Sequence, residues 1–246
     1  MCKTQPKYTV RWTKDADDIK AAQQLRHLAF RGEPGQDGDE HDDRCSHVLI
    51  ETAGAGELVA CFRCLELHDG RGIDKSYSAQ FYDLERLSKF DGGMIELGRF
   101  CTKPGLEDPD LLRIAWGALT HRVDEGGSRF LFGCSSFSGI DGSRYGDVFA
   151  KLFASNQAPQ TWAPQAKAAE IVRFEARPES DVNHTAAMRQ MPPLLRSYLS
   201  MGGWVSDHAV VDRDLNTLHV FTGLEIARIP TRRAEALRAV AQSLQS

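Results

Sequence analysis

Met94-Ile95-Glu96-Leu97-Gly98-Arg99-Phe100-Cys101, then Asp108–Glu125, then Phe130-Leu131-Phe132-Gly133-Cys134 is the stretch that decides the fold class. The first and third segments are apolar runs of strand length. Between them Leu112, Ala115, Trp116 and Leu119 recur at helical spacing, and Gly126-Gly127 supplies a stop. A strand, a helix and a second buried strand in that order predict an α/β sheet.

The same reading extends toward the amino terminus. Tyr8–Trp12 alternates as a first strand, and Asp15 or Asp18 opens a helix through Phe30, with Ile19, Ala22, Leu25, Leu28 and Ala29 on one stripe. Arg31–Ser46 is rich in acids and glycines and reads as a loop. His47–Glu51 and Leu58–Leu67 form a strand pair about the Ala53–Gly56 turn. His68–Lys75 is a polar excursion, and Phe81, Leu84 and Leu87 mark a short helix. Toward the other end, Tyr145–Ala154 is a helix.

Beyond Ser155 the pattern changes. Asn156–Lys167 is loop-like, Ile171–Phe174 a strand and Pro178–Ala186 polar. Pro192-Pro193 start a helix that Gly202-Gly203 end. Val205, Ala209–Val211 and Thr217–Thr222 read as closing strands, and Thr231–Leu244 as a final amphipathic helix. No repeat or linker divides the chain, so a single domain over 1–246 is expected, with a core at 1–155 and a carboxyl-terminal half at 156–246.

Of 246 residues, 41% are hydrophobic and 26% charged, enough for a sizeable core. A net charge of −4 argues against nucleic-acid binding, which calls for a basic stripe. No apolar run reaches the roughly 20 residues that cross a bilayer. Met1–Lys7 lacks the apolar core of a secretory signal, which predicts a cytoplasmic enzyme. Six cysteines are scattered: Cys2, Cys45, Cys61, Cys64, Cys101 and Cys134. Cys61 and Cys64 share a C-x-x-C spacing, but with no second pair or suitably spaced His they read as reduced core thiols, and no metal site is expected.

Charge placement is more telling. Arg26 and Phe30 lie four apart on one helix face. The acidic run Asp37–Asp43, containing Asp39 and Asp42, follows in the loop. Arg63 interrupts an apolar strand and Arg99 closes another. A guanidinium on a buried strand needs a carboxylate, because breaking a buried pair costs on the order of 3–5 kcal/mol. Asp39 and Asp42 are the natural partners, a solvated acidic loop being the alternative. Glu96 and Arg99, three apart, face opposite sides of a regular strand. Gly98 between them permits a bulge that would turn both to one side, freeing backbone N–H groups for a developing oxyanion.

Arg26-x-x-x-Phe30, Asp39-x-x-Asp42, Arg63, Phe81 and Glu96-x-x-Arg99 resemble the GNAT-type acyltransferases that take acyl chains from acyl carrier protein, a group that includes the acyl-homoserine-lactone synthases. Gly133-Cys134-Ser135-Ser136-Phe137, Met191–Gly202 and Asp212–Thr217 resemble the branch acting on L-ornithine. His219 departs from that branch, which tends to place an Asp there.

The resemblance implies a three-layer α/β/α fold with a central mixed, splayed sheet and a carboxyl-terminal extension. It implies transfer of a (3-hydroxy)fatty acyl group from acyl carrier protein to the α-amine of ornithine, giving lyso-ornithine lipid. An acyl-homoserine-lactone synthase using S-adenosylmethionine, and a non-catalytic acyl-carrier or lipid-binding relative, stay open as alternatives. Glu96 and Arg99 become the catalytic candidates, with Glu96 as base. Arg26, Phe30, Asp39, Asp42, Arg63 and Phe81 become a substrate-binding cluster. Phe100, Cys101, Gly133, Cys134, Ser135, Ser136 and Phe137 become the acyl and pantetheine cleft, with Phe132, Phe149, Leu152, Phe153 and Trp162 as further acyl-slot candidates.

Lys103–Pro109 has one glycine, two prolines and two acids where coenzyme-A-using relatives carry a glycine-rich pyrophosphate loop, which favours a carrier-protein donor and no bound cofactor. An acidic carrier calls for a basic dock, for which Lys151, Arg144, Arg173, Arg196 and the Arg228–Arg238 cluster are candidates. The final helix could also rest at the inner membrane face as a peripheral contact.

Overall fold

The structure, a computed structural model, describes residues 6–244; Cys2 lies outside them. In chain order the elements are β1 (Tyr8–Thr13), α1 (Ala16–Arg31), β2 (Ser46–Thr52), β3 (Leu58–Leu67), β4 (Tyr82–Asp83), β5 (Met94–Thr102), α2 (Pro109–Gly126), β6 (Phe130–Ser138), α3 (Gly146–Ser155), β7 (Gln165–Ala166) and β8 (Ile171–Arg173). They continue with α4 (His184–Gln190), α5 (Pro193–Ser200), β9 (Trp204–Val205), β10 (His208–Asp212), β11 (Thr217–Glu225) and α6 (Thr231–Ser243). The α/β class expected from the sequence is the class observed.

Two segments differ from expectation. Phe81, Leu84 and Leu87 do not form an α-helix: Tyr82 and Asp83 pair with Ala166 and Gln165 as a short strand, and the Asp83 carboxylate accepts the Glu85 N–H at 2.9 Å, turning the chain away from helix. Conversely, α4 arises in a stretch too polar to show a stripe. Its only buried residue is Ala187, and Asn183 caps it by accepting the Ala186 N–H at 2.9 Å.

The chain forms two compact units. The first takes residues up to Glu66, then Ile95–Gly127, then residues from Thr231 on. Its strands run in the order β1-β2-β3-β5. Asp15 caps α1 by accepting from the Asp17 and Asp18 N–H groups, and Gly32 ends it at φ 77°. Ala22 and Leu25 of α1 pack on Leu49, Cys61 and Cys101. In α2, Leu111 rather than Leu112 is the fully buried leucine of the first turn.

The second unit takes Leu67–Met94 and Ser128–Pro230. Here β6-β11-β10-β8 are neighbours, β9 pairs with β11, and β4 pairs with β7. The register Thr222↔Gly133, Val220↔Ser135 and Leu218↔Phe137 puts these residues on one face. That face is the apolar core, in which Phe137, Val220 and Leu218 pack with Phe149 and Leu152 of α3 and Leu195 of α5. The pairs Phe221↔Cys134 and His219↔Ser136 fall on the other face, which is polar and aromatic.

Close backbone approach fixes one glycine. Gly70 donates its N–H to Phe90 O at 2.9 Å, and a Cβ there would lie 2.1 Å from Leu87 O. Gly70→Ala is therefore expected to destabilise the protein by about 1–3 kcal/mol, as overpacking does. A urea midpoint within error of the wild type would show that the turn relaxes freely.

Candidate active site

One helix, one loop and two strands of the first unit bring three guanidiniums and three carboxylates together. Arg26 projects from α1, where it is 1% exposed. It donates from Nη1 to Asp42 Oδ1 at 2.8 Å and from Nη2 to Asp42 Oδ2 at 2.7 Å, a bidentate fork. Its Nη2 also donates to Asp37 O. Arg63 from β3 donates to Asp42 Oδ1 at 2.6 Å and to Asp39 Oδ1 and Oδ2 at 2.5 and 2.8 Å. Arg99 from β5 donates to Asp39 Oδ2 at 3.0 Å. Asp37 Oδ2 sits between Arg26 Nε at 3.0 Å and Arg99 Nε at 3.2 Å as an ion-pair contact. Six formal charges of the two signs thus cancel inside one unit.

The cluster has a closed end and an open one. Asp42 and Arg63 are 2% and 3% exposed, whereas the side chains of Asp39 and Arg99 are 23% and 13% exposed. Burial alone would raise the Asp42 carboxyl. The Arg26 hydrogen bonds and charge, the Gln23 hydrogen bond and the Arg63 charge outweigh it and hold Asp42 well below the usual carboxylate range. Asp39 is likewise lowered, with burial opposed by Arg63 and then Arg99. Burial works against Arg63 too, yet Asp39 and Asp42 leave it more firmly protonated than a free guanidinium.

Three members escaped the sequence reading. Gln23 Nε2 donates to Asp42 Oδ2 at 2.8 Å, His47 Nε2 lies 3.1 Å from Asp42 O, and Asp37 bridges Arg26 and Arg99. Gln23 had a usable signal, since it stands three residues before Arg26 on the same helix face. His47 and Asp37 had none beyond membership of a strand and an acidic run.

Glu96 is 5% exposed on β5, in the field of Cys45. Burial first, opposed by Arg63, and then the carboxylates of Glu96, Asp42 and Asp39 push the Cys45 thiol up to about 12. Within β5 the backbone enters the left-handed region at one described residue. Gly98 has no left-handed backbone; Arg99 does, with φ 56°. Non-glycine residues at positive φ are uncommon and carry strain, which persists where surroundings over-determine it. Here Asp37 and Asp39 hold the Arg99 guanidinium, and a Cβ at Gly98 would lie 3.6 Å from Arg63 Nε.

The other candidates are dispersed. Phe30 packs against the Leu25–Leu49–Cys61 cluster. Phe100 tilts on Phe62 with centroids 6.3 Å apart, while the Cys101 sulfur lies 3.6 Å from that of Cys61. In the second unit Phe81 meets the His219 ring edge-on at 4.9 Å. Strand alternation parts the run 133–137: Cys134 contacts Ser78 Oγ at 3.5 Å on one face, and Ser136 shares that face through its pairing with His219. Gly133 and Ser135 face the other way with Phe137, and Ser135 Oγ accepts from Thr222 Oγ1 at 3.0 Å. Phe137 is core between Tyr145 and Phe149. Phe132 stacks on Phe221, Leu152 is fully buried, and Trp162 abuts Phe90. Phe153 is 38% exposed. Each of these apolar candidates has a packing partner, is buried, or is exposed to solvent.

Of the proposed docking cations, Arg173 pairs with Asp207 at 3.2 Å, Arg228 with Glu225 at 3.1 Å and Arg238 with Asp124 at 2.8 Å. No helix among the described residues is long and apolar enough to cross a membrane.

Residues 24–117, which carry the whole charge cluster, match the family model of the acetyltransferase (GNAT) domain. An L-ornithine N(alpha)-acyltransferase of Rhodobacter capsulatus is 29% identical over 244 residues, covering 93% of each chain. One of Brucella abortus is 29% identical over 246 residues, covering 91% of this chain and 86% of that protein. The solved structure of a CoA-dependent acyl-homoserine lactone synthase, BjaI, with SAM and isopentyl-CoA, aligns at a TM-score of 0.50 and 10% identity, over 97% of this chain and 90% of that one. That likeness is one of fold.

Proposed function

We propose that this chain, an acyltransferase with a GNAT-type domain, moves a fatty acyl group from acyl carrier protein to the α-amine of L-ornithine. The observation that carries the reading is the resemblance along nearly the whole chain to proteins named for that reaction. In the reaction the amine nitrogen attacks the thioester carbonyl, a C–N bond forms, the C–S bond breaks, and the thiol leaves with a proton. The amine must itself lose a proton, and Glu96 is the base proposed for it. The charge cluster serves as scaffold: it pins the loop carrying Asp37–Asp43 against α1 and β3. Its open end, at Asp39 and Arg99, offers one charge of each sign to an amino-acid substrate that carries both.

The amino terminus of α2 supports a carrier-protein donor over a nucleotide one. Helix starts bind phosphate when their N–H groups are open. Here the Asp108 carboxylate accepts the Asp110 N–H at 2.9 Å and also takes Lys7 Nζ at 2.6 Å and Tyr8 Oη at 2.7 Å. One N–H of this helix start is therefore already taken by a carboxylate. The prediction is that incubation with acyl carrier protein loaded with a long acyl chain, plus ornithine, yields N-acyl-ornithine by mass spectrometry. Acyl-homoserine lactone formed from S-adenosylmethionine instead, or no acylated product from either amine, would overturn it.

A further inference from the structure

The three carboxylates of the charge cluster are not held alike. Asp42 accepts aligned hydrogen bonds from both prongs of Arg26, from Arg63 and from Gln23. Asp39 accepts from Arg63 on both oxygens, from Arg99, and from the His41 N–H at 2.9 Å. Asp37 differs from both. Its Oδ2 lies 3.0 Å from Arg26 Nε and 3.2 Å from Arg99 Nε, within ion-pair range, but accepts no aligned hydrogen bond from the described residues. Arg26 Nε, on a side chain 1% exposed, is likewise left without an aligned acceptor among them. Charge, rather than directed bonding, keeps this oxygen in place.

Asp37 reaches the guanidiniums from a polar strap, Glu33-Pro34-Gly35-Gln36-Asp37-Gly38, which contains no large apolar side chain and is exposed everywhere but at Asp37. The Asp37 N–H donates to Gln23 O at 3.1 Å, Gln36 Nε2 donates to Gln23 Oε1 at 2.6 Å, and His27 Nδ1 lies 3.0 Å from Glu33 O. The strap lies flat on α1 because position 35 is glycine: a Cβ there would meet the His27 ring at 2.3 Å. A segment with few buried apolar contacts opens at low free-energy cost. Charge balance then decides what can enter. An anion added to three guanidiniums and three carboxylates would leave one negative charge in excess. An anion exchanged for Asp37 keeps the balance and can give Arg26 Nε the acceptor it lacks. Asp39 and Asp42 could leave only by giving up several charge-assisted bonds. The occupant that fits is a carboxylate, with the same single charge and shape as the group it replaces.

We infer that the Asp37 carboxylate holds the place of the acceptor's α-carboxylate, which displaces it from Arg26 and Arg99 when the amino acid binds. This rests on the acyl-transfer reading above, and it gives Asp37, there a part of the scaffold, a role in selecting the acceptor. An amine that carries a carboxylate can lift the strap; an amine without one meets Asp37 still in place. The partly exposed side chains of Asp39 and Arg99 mark the side from which the amino acid arrives.

Calorimetry on the full chain compares L-ornithine with putrescine, the diamine that remains when ornithine loses its carboxylate. Asp37→Asn removes the competing charge at nearly constant shape. The variant is expected to bind ornithine about tenfold more tightly than wild type does, and putrescine no more tightly. A purely structural Asp37 predicts the opposite, ornithine bound equally or more weakly. That result, or an equal gain for putrescine, would overturn the inference. Wild type supplies a second measurement that needs no variant. Hydrogen exchange at the Asp37 amide, bonded to Gln23 O, is expected to quicken with ornithine and not with putrescine; exchange unchanged or slowed by ornithine would equally overturn it. Acylation of ornithine assayed alongside separates the two claims. Tighter ornithine binding without product sinks the acyl-transfer reading alone, and product with no gain in binding sinks this inference alone.

Discussion

Asp42→Asn is expected to cost about 3–5 kcal/mol of stability at neutral pH, the range found when one member of a buried ion pair is removed. Asp42 receives both prongs of Arg26, one nitrogen of Arg63 and the Gln23 amide. An amide in its place presents a donor to a guanidinium and leaves two buried cations short of charge. Asp39→Asn should cost less, because its carboxylate is partly solvated and screened. The pH dependence has a definite sign. The folded Asp42 carboxyl titrates below the unfolded value of about 3.9. Its contribution is therefore complete above roughly pH 4 and is lost as pH falls through the lower folded value. Urea midpoints of wild type and Asp42→Asn should differ most at neutral pH and converge as acid is added below pH 4. A difference under about 1 kcal/mol at pH 7, or one that persists unchanged into acid, would show that the cluster is not the buried pair its distances describe.

The logic that made this cluster legible was energetic. A lone arginine in the middle of an apolar strand demanded a partner, and the acidic loop was the one segment that could supply it. Nothing comparable pointed to His47, because a satisfied imidazole leaves no such demand in the sequence. Secondary structure followed the same division. Helix α2 declared itself through a regular stripe and the Asp108–Pro109 start, whereas α4 depends on the Asn183 cap and one buried alanine. The run Gly133–Phe137 was readable as a strand but not as a site, since alternation hands its side chains to two faces with different neighbours. The contact between Tyr82 and His219 spans 137 residues of sequence, and no local pattern encodes a pairing of that separation.

The position of Glu96 joins the scaffold to the chemistry. It shares β5 with Arg99, whose left-handed backbone is held by two aspartates, so the strand that presents the carboxylate is the one the charge cluster restrains. If Glu96 takes the proton from the attacking amine, Glu96→Gln keeps its shape and removes its basicity, and kcat should fall by about 10²–10⁴, the usual contribution of a positioned base. KM should change little, because a base that acts in the transition state contributes little to ground-state binding. Stability should move far less than for Asp42→Asn, since the glutamine fills the same space. The low-pH limb of kcat/KM should vanish in the variant, as it reports the base of the free enzyme. Turnover within a few-fold of wild type, with the limb intact, would remove Glu96 from the reaction. A fall in kcat matched by an equal loss of stability would return Glu96 to the scaffold, leaving proton removal to another group.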